Sequence, residues 1–376
     1  MGFSFGALKY GILTGLVEAI IQRTITAGTA EEFETGDTTH ISIAMLTSTK
    51  AIVCYVDESA KDDGHTCILD ISGTTVTGGT VVDFSDNATG FVSVARLTDT
   101  KAIVVFQNID DSDYGTAVIL DVSGSSITAG SSYVFSSGWA QLISVAKLTD
   151  TKAIVTYRDV GDSQKGKACI LDVSGTVITP GSEYVFNDAN TEHTSVAVLT
   201  STKAIVTYRD VGNSNYGTAC ILDVSGTVIT PGSEYVFNDA ATSWISAVAL
   251  TSTKAIVTYR DVGNSNYGTA CILDVSGTVI TPGSEYVFDD DNVLYLSVAA
   301  LSSTKAIVSF SDTTVDGYAC ILDVSGTVIT PGSKYEFNNA NTNWTSVAAL
   351  ESLKAIVAYQ DWGLGADGYA CILTVS

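Results

Sequence analysis

The tetrapeptide Lys-Ala-Ile-Val occurs seven times, beginning at Lys50, Lys101, Lys152, Lys203, Lys254, Lys305 and Lys354, in steps of 51 residues with a last step of 49. A unit of that length holds about four short strands, too many for one rung of a solenoid and right for one blade of a β-propeller. The sequence therefore predicts an all-β chain: a seven-bladed β-propeller of four-stranded antiparallel blades. No composition break or Pro/Ser-rich linker interrupts the repeats, so one toroidal domain is expected over residues 24–376.

Within a unit, the fourth copy shows the pattern. Strand A is expected over 194–199, strand B over 203–209, strand C over 219–224, and strand D runs from Thr227 to Phe237. Thr200-Ser201-Thr202, the segment 210–217 and Ser225-Gly226 are hairpin material. Strands B and C read as unbroken apolar runs, as expected where both sheet faces are covered. A serine recurs at one register of strand A (Ser42, Ser93, Ser144, Ser195, Ser246, Ser297, Ser346), a small residue suited to the crowded inner end of a blade. All four prolines, Pro180, Pro231, Pro282 and Pro331, fall at one point of strand D and precede glycine. Proline lacks the donor that a paired central strand needs, so strand D is placed at the outer edge.

Each strand D ends in phenylalanine: Phe33, Phe84, Phe135, Phe186, Phe237, Phe288 and Phe337. Phe33 has no strands A to C before it, and the last unit stops after strand C. The two ends are complementary. Residues 24–33 are expected to supply the outer strand of the seventh blade and so close the ring.

Charge narrows the partners. Against 18 basic residues stand 41 acidic ones, a net charge of −23 that repels phosphate backbones and anionic lipid headgroups, so nucleic acid is not expected as a partner. Six of the seven cysteines (Cys67, Cys169, Cys220, Cys271, Cys320, Cys371) share one strand C register, where the second unit has Val118. Valine there marks a small apolar site, so buried free thiols are expected, consistent with assembly in a reducing cytoplasm.

Residues 1–23 stand outside the repeats. Leu8, Ile12, Leu13, Leu16, Val17, Ile20 and Ile21 recur at helical spacing, which predicts an amphipathic helix over 7–22. It is expected either to pack on the underside of its own propeller, or to anchor the chain to another protein or form a helical oligomer. With only Lys9 and Arg23 as cations, it does not read as a membrane-surface helix, and membrane insertion is not expected. Glu18 within the apolar stretch and the absence of a basic start argue against a signal peptide.

The units differ mainly around the D-to-A and B-to-C connections. Residues 199–237 and 250–288 are identical, yet the segments after them diverge, a uniform scaffold with varied loops. At the start of strand A one register carries His40, Phe91, Leu142, His193, Trp244, Tyr295 and Trp344, with Trp139 close to the one aliphatic member. Such a ring suits sugar stacking and equally suits a plug for the central funnel. Each B-to-C loop opens with Asp or Asn, and Asp110, Asp111 and Asp113 crowd the second, which makes calcium the cofactor to consider beside the simpler role of capping a turn. No paired carboxylates, Ser/His/Asp set, zinc spacing or nucleotide fingerprint stands apart from the repeat, so no enzyme and no other cofactor are expected.

The segments Lys-Ala-Ile-Val-Thr-Tyr-Arg-Asp, Ala-Cys-Ile-Leu-Asp-Val-Ser-Gly and Ile-Thr-Pro-Gly-Ser-Glu-Tyr-Val-Phe resemble the β-propeller repeats of bacteriophage tail-fibre-like and other virion structural proteins. The resemblance spans residues 24–376. It implies a noncatalytic virion appendage, assembled in the host cytoplasm, that meets a host-surface glycan or protein and contacts other virion proteins through its N-terminal helix. The alternatives are a purely architectural or decoration protein of the virion and a non-viral, extracellular propeller lectin.

Overall fold

The computed structural model describes residues 23–376, and the predicted anchor helix over 7–22, with Leu8, Ile12, Leu13, Leu16, Val17, Ile20 and Ile21, lies outside them. The described chain is all-β. In the first repeat, strand A is Thr38–Thr47, strand B Lys50–Asp57 and strand C Asp63–Ser72, paired antiparallel in that order. Strand D comes in two pieces, Thr75–Gly78 and Val82–Ser85, both paired with strand C. Strand B is the centre of each sheet: Ala51, Ile52, Val53, Cys54 and Tyr55 are fully buried. Its Lys pairs across to the Asp of strand C, as Lys254 does to Asp274 at 3.0 Å, and the last repeat, which has Thr374 there, turns Lys354 to Glu351 at 3.2 Å instead.

The split in strand D has a local cause. In the third repeat Pro180 ends the first piece opposite Leu171, and the N–H of Gly181 donates to the carbonyl of Ile170 at 2.7 Å. The next piece then brings Phe186 over Gly166. A Cβ on Gly166 would lie 2.4 Å from the Phe186 ring. The same Gly–Phe fit recurs in every repeat, including Gly368 with Phe33.

Three D-to-A connections differ from the loops that the sequence suggests. Tyr133–Thr149, Tyr184–Thr200 and Val228–Thr251 are continuous strands. Each pairs first with strand C of its own repeat and then, past an irregularity, with strand B of the next. The extended crossing satisfies backbone groups that a loop would leave to solvent.

The N-terminal residues complete the last sheet. Ile25–Ala27 and Glu31–Glu34 pair antiparallel with the final strand, Asp367–Val375, with Ile25 opposite Val375 and Glu31 opposite Ala370. Phe33 is buried and its ring centroid lies 5.3 Å from that of Tyr55 in the first repeat.

Two sets of hydrogen bonds run from repeat to repeat and return to their start. The strand A serine accepts the N–H of the residue after the corresponding serine in the next repeat: Val94 to Ser42 at 3.0 Å, Val145 to Ser93 at 3.1 Å, and so around to Ile43, which donates to Ser346 at 3.2 Å. In the second set the first residue of most strands A donates to a B-to-C loop carbonyl of the preceding repeat, from Thr89 to Asp62 at 2.8 Å through to Thr38, which donates to Ala366 at 2.9 Å. That loop residue is left-handed in each case, with Asp62 at φ 65 and Ala366 at φ 68, which turns its carbonyl outward. All seven cysteines are free and buried. Burial pushes the Cys54, Cys320 and Cys371 thiols up to about 12.

Candidate functional site

The register singled out at the start of strand A is backbone-strained in every repeat. His40, Phe91, Leu142, His193, Trp244, Tyr295 and Trp344 all have φ between 48 and 52. In L-residues this left-handed conformation costs about 1–2 kcal/mol each, so seven amount to something on the order of 10 kcal/mol, comparable with the whole net stability of a typical domain. Each sits in a bulge; in the third repeat the A–B register breaks between Gln141 and Ser144. The bulge re-aims the residue out of the sheet.

The structure brings the register together. Phe91 packs on His40 with centroids 5.1 Å apart, His40 on Trp344 at 4.3 Å, Trp344 on Tyr295 at 5.2 Å, Tyr295 on Trp244 at 4.7 Å, and Trp244 on His193 at 5.6 Å. Tilted aromatic pairs at such distances are favourable. Leu142 stands in the gap of this arc, and the group, Tyr295 excepted, lines a cavity of about 230 Å³. Trp139 is not part of it: its side chain is 43% exposed and its backbone is paired with Tyr114.

Burial pushes His40 down to about 4. His193 is also pushed down to about 4, by burial first and then by the field of Arg209, Arg260 and Arg158. Both imidazoles are therefore neutral at pH 7. The three arginines, out of five in the chain, occupy the penultimate position of strand B in consecutive repeats, opposite Gln141, Glu192 and Ser243, the residues just before the ring register. Glu192 accepts from Arg158 at 3.4 Å and pairs with Arg209 at 3.2 Å. Arg209 also donates twice to Asn215, at 3.1 and 2.8 Å. Arg260 donates to Ser243 at 2.8 Å, and among the described residues no carboxylate pairs with it. Three guanidinium groups thus share one paired carboxylate, an excess of positive charge at this point of a strongly acidic protein. Arg158 Nε is buried and has no hydrogen-bond partner among the described residues.

Sequence reasoning did not single out these arginines. A signal was present, because the register reads Val56, Gln107, Arg158, Arg209, Arg260, Ser311 and Gln360, variable where the first four positions of strand B are invariant.

The B-to-C aspartates act as caps. Asp159 accepts from the N–H of Asp162 at 3.2 Å, Asp210 from Asn213 at 3.2 Å and Asp312 from Thr314 at 2.8 Å. Asp110, Asp111 and Asp113 are not brought together. Asp110 accepts from the Ala88 N–H at 3.1 Å, Asp113 from Gln107 Nε2 at 2.9 Å, and Asp111 is exposed. Among the described residues, the groups whose ligand atoms lie within 4.8 Å of one another are Glu34/Asp57/His65 and Asp289/Asp291/Asp312. Lys334 already fills the second, at 3.1, 3.2 and 2.9 Å from its three carboxylates.

No protein-family model and no curated protein matches the sequence. Solved structures do match the fold. The β-propeller domain of Cps50 (Swd1) from Myceliophteria thermophila is similar with a TM-score of 0.63 at 10% identity, over 94% of this chain and 100% of that one. The chain folds as a β-propeller. A lectin from Burkholderia pseudomallei is similar at a TM-score of 0.64 and 10% identity, over 90% of this propeller and 97% of the lectin. A hypothetical selenium-binding protein from Sulfolobus tokodaii is similar at 0.56 and 6% identity, over 79% and 81% of the two chains.

Proposed function

We propose that this protein is a noncatalytic, seven-bladed propeller, closed by residues 25–34, whose central cavity binds a glycan carrying a carboxylate. The observation that carries the reading is the aromatic arc around the cavity, held by strained backbone in each repeat. Strain of that size at one register is a mark of a position whose side-chain direction matters more than its backbone comfort. Aromatic faces suit the C–H faces of sugars, and neighbouring guanidinium groups suit a carboxylate in bidentate fashion. The neutral histidines offer ring faces and single hydrogen bonds, which favours binding over proton transfer. The likeness to a bacterial lectin supports the same reading at the level of fold.

In this proposal the propeller is carried on a virion, residues 1–23 attach it to other virion proteins, and the glycan belongs to a host surface. The test is a glycan array with the full chain, followed by calorimetry on the hits. Trp244→Ala and Trp344→Ala should each weaken binding at least tenfold, and Arg260→Gln should weaken acidic glycans more than their neutral analogues. Absence of any hit among acidic and neutral glycans sinks the binding reading. Detection of the protein in purified particles tests its setting separately.

A second reading has its own support. The rings touch one another at 4.3–5.6 Å, as a plug would, so an architectural propeller is the outcome if the tryptophan variants lose stability and no glycan binds.

A further inference from the structure

The seam where the chain's two ends meet carries a group of side chains that the remainder of the ring does not repeat. At three sheet junctions, the residue after the strand D phenylalanine faces the Asp that opens the next B-to-C loop. It is Asn338 at one junction, whose Nδ2 donates to Asp361 Oδ2 at 3.1 Å. At two junctions it is an acid, giving the carboxylate pairs Asp289/Asp312 and Glu34/Asp57. A pair of buried carboxylates is relieved either by a shared proton or by a cation. The first pair has Lys334. In the third repeat, Asp159 likewise has Lys167 at 2.7 Å.

The pair at the seam has His65 instead. Its Nε2 lies 3.2 Å from Asp83 Oδ1, an outer carboxylate that orients the ring. Its Nδ1 is buried, points between Glu34 Oε2 at 3.5 Å and Asp57 Oδ2 at 3.7 Å, and has no hydrogen-bond partner. These separations are too long for hydrogen bonds. They lie close to those of ligands sharing one ion: atoms 2.0–2.1 Å from a tetrahedral centre stand about 3.3–3.5 Å apart, the first separation at the upper end of that span and the second about 0.2 Å beyond it. The outer oxygens are already engaged, since Asp57 Oδ1 caps the turn through the Ser59 N–H at 2.9 Å and Glu34 Oε1 accepts from the Thr35 N–H at 2.9 Å, while Glu34 Oε2, the oxygen facing His65, is held in place by the Tyr55 hydroxyl, which donates to it at 2.7 Å. A histidine with one nitrogen on a carboxylate and the other aimed at two oxygens has the layout of a metal ligand with its supporting shell.

We propose that Glu34, Asp57 and His65 bind a divalent ion of the zinc class, with water completing the shell. Glu34 belongs to the N-terminal strand paired with the seventh repeat, whereas Asp57 and His65 belong to the first repeat. The ion therefore bridges the closure of the ring, in the place that Lys334 fills elsewhere. The inference is independent of glycan binding.

The test uses the tag-free full chain, stripped with chelator and titrated with zinc chloride at pH 7.5, with metal content by mass spectrometry and melting by scanning fluorimetry. One zinc per chain and a rise in Tm of several degrees are expected, with slowed amide exchange over residues 25–34. His65→Ala and Asp57→Asn should lose both the ion and the shift. His65→Lys, which copies the lysine solution, should melt near the zinc-loaded protein and ignore zinc. Stoichiometry well below one, or equal zinc binding by His65→Ala, overturns the proposal. So does a zinc-insensitive Tm that falls as pH rises through the imidazole range, which would assign the cation to a protonated His65.

Discussion

The closure of the ring rests on Phe33 seating against Gly368, residues at opposite ends of the described chain, and that contact can be measured. A Cβ at Gly368 would stand 2.5 Å from the Phe33 ring, so Gly368→Ala overpacks the seam at a cost of about 1–3 kcal/mol. The backbone there has no positive φ, and the exchange recovers about 0.5–1 kcal/mol of chain entropy. Phe33→Ala removes a buried ring and costs about 3–5 kcal/mol. With unfolding entropy of about 2.1 cal/mol/K per residue, a ring of about 350 residues has a slope near 0.7 kcal/mol per degree. Phe33→Ala should then lower Tm by about 4–7 °C. In the double variant the added methyl enters space that the ring has vacated. The overpacking vanishes, so the two effects should fall short of additivity by about 1–2 kcal/mol. Thermal and urea melts of the four proteins give this coupling directly. The pair Gly166 and Phe186, with a 2.4 Å approach inside one repeat, is the control. If the control couples while the seam pair is additive within about 0.5 kcal/mol, the N-terminal strand is not docked on the last repeat and the closure argument fails.

Three further outcomes follow from the same packing. Ser195→Ala leaves the Ala247 N–H, which now donates to Ser195 at 3.1 Å, without its acceptor and should cost about 1–3 kcal/mol in urea melts; Ser346→Ala at the seam should cost as much. His40 and His193 have folded pKa values near 4 against 6.5 in the unfolded chain, so the unfolded state takes up protons first. Stability is whole above pH 6.5 and declines as pH falls toward 4, and His40→Phe with His193→Phe should flatten that part of a Tm–pH curve. The seven buried thiols should resist alkylation at pH 8 in the native protein and react promptly in denaturant; fast native labelling of any would contradict their burial.

Much of the scaffold was legible because each repeat states the same rules. Proline before glycine marks the edge, the Gly–Phe pair fixes strand D over strand C, and Phe33 without a preceding sheet points to the far end of the chain. The ring register was legible too, as a column of His40, Trp244, Tyr295 and Trp344. What the sequence did not reveal is the left-handed backbone beneath that column, because no glycine or asparagine announces it. Trp139 was drawn into the ring by its proximity to Leu142 in sequence, whereas the strand crossing at Tyr133–Thr149 carries it to the surface. The aspartates of the second B-to-C loop looked like calcium ligands by composition, but turn geometry sends Asp110 and Asp113 to separate donors.

The candidate sites share a property that explains why the fold was easier to read than they were. A repeat that closes on itself makes every position appear in seven nearly equal environments, so the common residue at each position is the structural solution. A departure that preserves size and polarity changes nothing, as Val118 does among the cysteines. A departure that alters charge must be answered nearby, and the answer identifies its purpose. Asp289 in place of asparagine is answered by Lys334, which makes that junction self-sufficient. Glu34 is answered by His65, whose nitrogen is neither close enough to the carboxylates for a hydrogen bond nor supplied with another partner. Arg158 and Arg209 share Glu192, and among the described residues no carboxylate pairs with Arg260. In the two proposals made above, the glycan and the zinc ion would each supply the answer that these departures from the repeat lack.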